Sequence, residues 1–310
     1  MPIKTALNPS AVFLSYETLV KLESLMQLRV LPAMSLVCNN KNLDLSQPQV
    51  MGILNVTPDS FSDGGQYTQL ETALKRAELM VQQGASIIDI GGESTRPHAA
   101  KVSVDEEIQR VIPVVTAISQ QLDVIISIDT STPEVMQDAV KAGAHIWNDV
   151  RALTRPNALA VAASLNIPVI LMHMRGEPDT MNSLANYDNV VQEVISELQQ
   201  RLDAALAAGI QREHIILDPG FGFAKNAQHN LQLLNSLYHF HDYFGLPWLS
   251  GLSRKRFLGE VLNGAAVEDR LYAGLAGQLM SVQQGASIVR THDVLATVQH
   301  LKLWQASLEA

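Results

Sequence analysis

Residues 51–65 read MGILNVTPDSFSDGG, a stretch that begins as an apolar strand and ends as a polar loop. Only Gly52 and Asn55 interrupt the apolar run Met51–Val56, and Pro, Asp, Ser and Gly residues follow it. Proline, glycine and short polar side chains are typical of turns and loops. The stretch therefore raises a question: why does a buried strand carry an amide at Asn55 just before it ends?

The same rhythm, a short apolar run that ends in polar residues and leads into a helical pattern, occurs eight times after residue 49. The runs are continuously apolar, which is typical of strands buried on both faces. They span Val50–Val56, Ser86–Gly92, Val124–Thr130, His145–Val150, Pro168–Met174, His214–Gly220, Pro247–Ser253 and Ala286–His292. Eight β–α units predict an α/β fold of the (β/α)8 TIM-barrel type, whose usual length of about 250 residues matches this span. An open doubly wound sheet is the alternative, but the glycines after the first run lack the spacing of its phosphate-binding fingerprint.

The segments between the runs have the features of helices. Apolar residues in 190–206 fall on one stripe, as in an amphipathic helix. The pair Thr132-Pro133 is a typical helix start. Four glycines stand near the ends of helical patterns, where a left-handed cap is favoured: Gly84, Gly143, Gly209 and Gly285.

Composition excludes several classes of protein. The chain has 310 residues, 47% of them hydrophobic, and a formal net charge of −9, which argues against a nucleic-acid surface. Its one cysteine, Cys38, excludes an internal disulfide or a cysteine zinc site and favours a reducing compartment. The sequence contains no apolar run of the roughly 18–20 residues that a bilayer span requires, and its first residues do not form a signal peptide. We therefore expect a cytoplasmic protein without nucleic-acid or membrane partners.

Polar side chains collect where the runs end, which is the end of a TIM barrel that builds the active site. A single Asp there commonly caps a helix, and His145 and His173 are typical of packed, hydrogen-bonded histidines. Every run, however, ends in a group that can contact a ligand. In chain order these groups are Asn55; Glu93, Ser94, Thr95 and Arg96; Asp129; Asn148 and Asp149; Met172, His173 and Arg175; Asp218; Ser253, Arg254 and Lys255; Arg290 and His292.

The chemistry of these groups predicts their ligand. One subset supplies acceptors, an amide and a cation: Asp129, Asn148, Asp218 and Lys255. This subset suits a flat heterocycle with ring nitrogens and an exocyclic amine, because carboxylates accept hydrogen bonds from ring N–H groups. Arg290 and His292, with Asn55, suit an anion and a metal, because a guanidinium binds phosphate oxygens in a fork. The residues alone thus predict a pocket for a polar heterocycle that carries a phosphate.

Seven motifs in order resemble the dihydropteroate synthase family of bacterial folate synthesis, from about Met34 to the C-terminus. They are LNVTPDSFSDGG, IDIGGESTRP, ISIDTS, LMHM, LDPGFGFAKN, SGLSRK and IVRTHD. The resemblance implies a homodimeric (β/α)8 barrel that uses Mg2+ and is a target of sulfonamides. It also implies a transferase that joins 6-hydroxymethyl-7,8-dihydropterin diphosphate to p-aminobenzoate, releasing diphosphate and 7,8-dihydropteroate.

The resemblance further implies a role for each matching position. Asn55 would reach the metal and the diphosphate. The pterin would be held by Thr95, Asp129, Asn148, Met172, Asp218 and Lys255, and the diphosphate by Arg290, Thr291 and His292. The aminobenzoate side would comprise Phe61, Arg96, Pro97, Phe223, Ser253 and Arg254. The catalytic set would be Asn55, Asp129, Lys255, Arg290 and His292. Ala224 and His98 depart from the family pattern on the aminobenzoate side, where glycine is common at both positions.

We expect one pterin-binding domain in residues 34–310 and an N-terminal extension of unknown role, dispensable for activity, in residues 1–33. One alternative is a pterin-binding methyltransferase barrel, which should lack the Arg290/His292 pair and the long first loop. The other is a non-catalytic pterin-binding paralogue. Loss of aminobenzoate-side residues would indicate such a paralogue, whereas Phe61, Arg96 and Arg254 are present.

Overall fold

The computed structural model of the chain describes residues 34–57, 66–94 and 102–309. Within these ranges, eight parallel strands form a barrel and a two-stranded antiparallel hairpin precedes it. The hairpin strands are β1 (Ser35–Cys38) and β2 (Lys41–Asp44). The barrel strands are β3 (Gln49–Asn55), β4 (Ile87–Gly91), β5 (Ile125–Asp129), β6 (Ile146–Asp149), β7 (Val169–Met172), β8 (Ile215–Asp218), β9 (Leu249–Ser250) and β10 (Ile288–Thr291).

Helices follow the barrel strands along the chain. They are α1 (Gln66–Gln82), α2 (Val104–Gln121), α3 (Pro133–Lys141), α4 (Ala158–Leu165), α5 (Val190–Ala207), α6 (Ala227–Leu234), α7 (Tyr238–Phe244), α8 (Arg256–Val261), α9 (Leu271–Gln283) and α10 (Val294–Leu308). Short 3-10 turns occupy Met181–Leu184, Arg212–His214 and Glu268–Arg270. Among these helices, none is both long enough and apolar enough to cross a membrane.

The strand order confirms the predicted TIM barrel. Neighbouring strands run β8-β7-β6-β5-β4-β3-β10-β9, so each predicted run pairs with the next one along the chain and the last returns to the first. A parallel bridge between Leu217 and Trp248 joins β8 to the segment before β9, with the Leu217 N–H 3.0 Å from the Pro247 oxygen. An open sheet, the alternative, does not make this closing contact.

The local signals in the sequence are confirmed with two exceptions. The four predicted glycine caps all have positive φ angles, between 94° and 112°, and α3 begins at Pro133. The Thr132 hydroxyl, however, does not cap α3. It donates instead to Glu107 Oε2 at 3.1 Å, because that carboxylate is buried and requires donors. The second exception is the β1–β2 hairpin, which the strand count did not include.

The inside of the barrel changes from apolar to polar along most of the strands. Near the strand starts, an apolar ring, here called the lower ring, comprises Met51, Ile87, Ile125, Ile146, Ile170, Ile216, Leu249 and Ile288. Four side chains of the hairpin segment cover this ring: Leu36, Cys38, Leu43 and Leu45. Because side chains alternate across a strand, the next inward positions lie two residues further on. This second set, here called the middle ring, comprises Ile53, Asp89, Ser127, Asn148, Met172, Asp218, Gly251 and Arg290.

Candidate active site

Four strand ends bring the first polar groups side by side. The backbone register pairs Asn55 with Gly91, Gly91 with Asp129, and Asp129 with Asn148 across β3 to β6. Gly91 adds no side chain to this row, where a Cβ would be in van der Waals contact, 3.6 Å from Asn55 Oδ1 and 3.6 Å from Asp129 Cβ. The row therefore presents an amide, a gap, a carboxylate and a second amide at the upper end of the barrel.

Arg290 crosses the barrel interior to two carboxylates. Its Nε donates to Asp89 Oδ2 at 2.6 Å and its Nη2 to Asp129 Oδ2 at 2.7 Å. Burial alone would lower the pKa of Arg290, but these carboxylates outweigh it and raise the pKa above its usual value. Burial raises the pKa of Asp129 to about 7, against the opposing effect of Arg290. The guanidinium is therefore a fixed cation, whereas burial favours the protonated form of Asp129.

Asp218 and Lys255 form the opposite side of the pocket. Burial raises the pKa of Asp218 despite a hydrogen bond of 2.7 Å that its Oδ1 accepts from the Gly220 N–H. Burial likewise lowers the pKa of Lys255 to about 8, with Arg290 adding to the effect. The Lys255 ammonium lies 4.1 Å from the centroid of the Phe223 ring, a cation–π contact. Gly222 has a φ of 78°, and a Cβ there would lie 3.0 Å from Lys255 Cδ, so the glycine makes room for the lysine.

His292 and Ser253 form a hydrogen-bonded pair at the ends of β10 and β9. Ser253 Oγ lies 3.0 Å from His292 Nδ1 and accepts the His292 backbone N–H at 3.2 Å. Burial, and then the nearby charge of Arg290, lowers the pKa of His292 to about 4. The imidazole is therefore neutral at pH 7 and supplies a hydrogen-bond donor rather than a full charge.

Two residues that the resemblance assigns to the substrates have side chains bonded to other protein groups. Arg254 has a left-handed backbone conformation with φ of 58°, and its side chain forms a bidentate pair with Asp293 at 3.1 and 2.6 Å. The Thr291 hydroxyl is buried on the outer side of β10, where it accepts from Thr297 Oγ1 at 3.1 Å and from the Asp293 N–H at 3.1 Å. The structure therefore does not bring the Thr291 side chain to the other site residues.

Of the remaining predicted contact residues, some line the pocket and the others lie outside the residues that the structure describes. Met172 and Phe223 lie in one buried apolar cluster beside the polar groups, and that cluster includes Ala224. Phe61, Thr95, Arg96 and Pro97, together with the variant position His98, lie outside the described residues. Their assignments stay predictions.

Sequence reasoning missed two residues that support the site. Lys225 is buried, and its Nζ contacts His173 Nδ1 at 2.9 Å and donates to the Gly220 and Phe223 oxygens at 3.0 Å each. It therefore holds the loop that carries Phe223. Asp89 is fully buried in β4 and contacts Arg290. A charged residue inside the apolar run IIDIG was the signal for Asp89, whereas nothing local distinguishes Lys225 from a surface lysine.

Comparison with known proteins identifies the family. A model described as "Pterin binding enzyme" matches residues 51–292. A dihydropteroate synthase of Haemophilus influenzae is 52% identical over 277 residues, which cover 89% of this chain and 100% of the relative. The chain belongs to the dihydropteroate synthase family. The family resemblance of the motifs is therefore confirmed by similarity over 89% of the chain.

Solved structures of dihydropteroate synthase agree with this membership. One from Xanthomonas albilineans, with 4-aminobenzoic acid, has a TM-score of 0.85 and 46% identity and covers 90% of this chain and 99% of its own. Another from the same organism, in complex with 7,8-dihydropteroate, has a TM-score of 0.81 and 44% identity, covering 89% and 99%. Both family membership and barrel fold are thus supported independently of the motifs.

Proposed function

We propose that the chain catalyses the family reaction: it condenses 6-hydroxymethyl-7,8-dihydropterin diphosphate with p-aminobenzoate to 7,8-dihydropteroate and diphosphate. One observation carries the proposal. Asp218 is a buried carboxylate and Asp129 a half-buried one, and both face two half-buried cations, Lys255 and Arg290, inside the upper half of the barrel. A fold needs no such cluster, whereas a polar heterocycle with a charged tail does.

The pterin would occupy the space between Asp129, Asn148 and Asp218. Asp218 uses Oδ1 for the Gly220 N–H, and a Cβ at Gly251 would lie 3.9 Å from Asp218 Oδ2. Asp218 Oδ2 would accept from a ring N–H of the pterin. Met172 and Thr95 would complete this side, as the resemblance implies, and Lys255 would donate to a ring acceptor.

The diphosphate would bind between Arg290, His292 and Asn55, which belong to the neighbouring strands β10 and β3. Arg290 keeps N–H groups that neither Asp89 nor Asp129 uses, because a guanidinium has five. Since Ser253 Oγ accepts the His292 backbone N–H, its hydroxyl proton can be donated to Nδ1, which leaves the ring proton on Nε2 for the leaving group. Thr291, whose hydroxyl is turned outward, would contribute by holding the end of β10.

Asn55 Oδ1 is the protein oxygen that we propose as a ligand of Mg2+. The described residues contain no group of three or more His, Cys, Asp or Glu side chains that could hold a metal ion. Mg2+ commonly takes one or two protein oxygens and completes its shell with phosphate oxygens and water, so Asn55 Oδ1 beside the diphosphate suffices. A bound Mg2+ would supply Lewis-acid neutralisation of the diphosphate charge.

The reaction needs no strong general base, because the aromatic amine is neutral near pH 7. The bond between the pterin methylene carbon and the diphosphate oxygen breaks, and the oxygen keeps the electron pair. The amine lone pair then forms the C–N bond, and its proton passes to solvent. Arg290 and His292 stabilise the leaving oxygens, while Asp129 and Asp218 stabilise positive charge on the pterin. A dissociative displacement follows from this distribution of charge.

The aminobenzoate would bind on the side of Phe223, Ser253 and Arg254, with Phe61, Arg96 and Pro97 contributed by the loops after the first two barrel strands. Arg254 is already neutralised by Asp293. Its contribution would therefore come from its hydrophobic stem or from the backbone at this strained position rather than from a free charge.

Homodimer formation is part of the proposal. The outer helices α9 and α10 pack against each other and expose large apolar side chains, with Tyr272 81% and Leu303 74% exposed. Exposed apolar groups on adjacent helices suit a self-complementary contact with a second copy. Light scattering should show a dimer, and Leu303→Asp should shift it towards monomer while Leu79→Asp on α1 does not.

A cytoplasmic location is also proposed, supported by the free, buried Cys38.

A coupled assay for diphosphate release tests the proposed activity. The protein is supplied with the dihydropterin diphosphate and Mg2+, with and without p-aminobenzoate, and dihydropteroate is quantified in parallel. We expect release that depends on aminobenzoate, equals dihydropteroate formed, and is inhibited by a sulfonamide. Pterin binding without aminobenzoate-dependent release would instead identify a non-catalytic pterin-binding protein.

A further inference from the structure

Asp89 contacts two of the side chains assigned to the ligand. It lies in the middle ring, fully buried within β4. Its Oδ2 accepts from Asn148 Nδ2 at 3.1 Å and from Arg290 Nε at 2.6 Å. Asn148 is on β6 and Arg290 on β10, so one carboxylate joins opposite sides of the pocket from below.

A structural role alone does not explain this carboxylate. Its other oxygen, Oδ1, is buried without a hydrogen-bond partner in residues 34–57, 66–94 and 102–309. The same holds, within those ranges, for the hydroxyl of Ser127, the register partner of Asp89 on β5. Buried acceptors without donors cost free energy, and two residues earlier the same strands pack with Ile87 and Ile125 at no such cost.

Asp89 determines which atoms Asn148 presents to a ligand. An ionised carboxylate only accepts hydrogen bonds, so the amide nitrogen of Asn148 must face it. The Asn148 carbonyl oxygen and its second N–H then remain for the pocket. Without the charge below, the amide could rotate by half a turn and exchange its acceptor for a donor.

Asp89 also fixes the orientation of Arg290. Its contact holds the Nε edge of the guanidinium, and Asp129 holds one Nη2 hydrogen. Because the group is planar, two contacts set its plane and direct the Nη1 end away from both carboxylates. A neutral side chain at position 89 would weaken this charge-assisted contact, and Asp129, which also contacts Arg290, is itself a predicted ligand contact.

We propose that Asp89 is a positioning residue that fixes the hydrogen-bonding face of Asn148 and the plane of Arg290 for binding of the pterin diphosphate. The inference rests on the proposed function. It assigns to Asp89 no contact with the reacting atoms, and it predicts that the effect of Asp89 on pterin binding passes through Asn148.

The test compares Asp89→Asn with Asp149→Asn. Asp149 is also fully buried, but it accepts from the Ser131 hydroxyl and from the N–H groups of Arg151 at 2.9 Å and Leu153 at 2.8 Å. Calorimetry with 6-hydroxymethyl-7,8-dihydropterin should show binding at least about tenfold weaker in Asp89→Asn and within twofold of wild type in Asp149→Asn. In steady-state assays kcat/KM for the pterin diphosphate should fall, while KM for aminobenzoate changes less than twofold.

A double-mutant cycle separates positioning from general damage. In an Asn148→Ala background, Asp89→Asn should weaken pterin binding by less than about threefold, because the side chain on which it acts is gone. Wild-type-like binding by Asp89→Asn, or an equal loss in both backgrounds, would overturn the proposal. If the wild-type chain bound no pterin, the proposed function would fail instead.

Folding is checked by thermal unfolding of each variant. Asp89→Ser, smaller and neutral, replaces Asp89→Asn if the latter does not fold, and the same differences are expected. If neither variant folds while Asp149→Asn does, Asp89 has a structural role and the proposal is wrong.

Discussion

The lower and middle rings occupy successive inward positions around the barrel, yet only the middle ring carries charged side chains. The lower ring is wholly apolar and covered by the hairpin, whereas the middle ring includes Asp89, Asp218 and Arg290. Two residues along a strand are only about 7 Å. Within that distance the barrel changes from packed apolar side chains to polar side chains for which we propose binding roles, so substitutions in the two rings should separate stability from activity.

The largest expected effect is on activity, from Arg290→Ala. If Arg290 binds the leaving diphosphate as proposed, the variant removes charge-assisted hydrogen bonds to it, and turnover should fall on the order of 10²-fold or more. Steady-state diphosphate release measures it. Arg256→Ala serves as control, because that arginine is exposed and pairs with Glu260 on the same helix. Unchanged turnover in Arg290→Ala would remove Arg290 from the proposed site.

A substitution in the lower ring should reduce stability and leave turnover nearly unchanged. Ile216→Ala deletes a fully buried side chain, and such changes cost about 2–5 kcal/mol of unfolding free energy. Urea unfolding measures the loss. Turnover per folded molecule, assayed well below the unfolding midpoint, should stay within twofold of wild type. A tenfold loss there would mean that the two rings are not separable.

Histidines at the two ends of the barrel should affect the pH dependence of stability alike but turnover differently. Burial, followed by Lys41, lowers the pKa of His145 to about 4, and its Nδ1 accepts the Ile126 N–H at 3.1 Å. The unfolded chain, with a histidine pKa near 6.5, binds more protons than the folded chain between pH 4 and 6.5, so stability should rise with pH across this window. In His145→Gln the thermal midpoint should change less steeply there, with turnover at pH 7.5 unaffected.

His292 provides the counterpart at the upper end. Its pKa is also lowered to about 4, so the same sign of pH dependence applies to stability. His292→Asn should nevertheless reduce turnover at pH 7.5, unlike His145→Gln. Equal turnover in the two variants would contradict the assignment of His292 to the leaving group.

A smaller effect is expected at Ala224, where φ is 48° in a fully buried position. A left-handed conformation costs a non-glycine residue roughly 1–2 kcal/mol, and glycine loses about 0.5–1 kcal/mol in backbone entropy. Ala224→Gly should therefore stabilise the protein by about 0.5 kcal/mol. Ala163→Gly inside α4 should instead destabilise it by about 1 kcal/mol. Denaturant midpoints of both variants check the contrast in sign.

The smallest expected effect is that of removing residues 1–33. The proposed domain comprises residues 34–310, and no site residue was assigned before Met34. A variant that begins at Met34 should keep kcat and both KM values within twofold. Aggregation or loss of most activity would show that the extension is required.

The sequence predicted the family, the eight strands and the strand-end position of most site residues. These features are local: a buried strand is a continuous apolar run, and its C-terminal end is visible as the point where polar residues begin. Asn55, Asp129, Asn148, Asp218 and Arg290 were found in this way. The hairpin was missed because two four-residue strands with partly exposed faces give only a weak pattern.

The hydrogen-bond and ion-pair partners of these groups depend on the tertiary structure. Arg290 lies 201 positions from Asp89 along the chain and contacts it at 2.6 Å; Lys225 lies 52 positions from His173 and contacts it at 2.9 Å. Barrel closure brings such side chains together, and the low dielectric of the interior then shifts their pKa values. The local sequence specifies which functional groups lie at the end of each strand. The fold determined which of them are paired, neutral or free, because pairing and burial depend on distances that no local pattern contains.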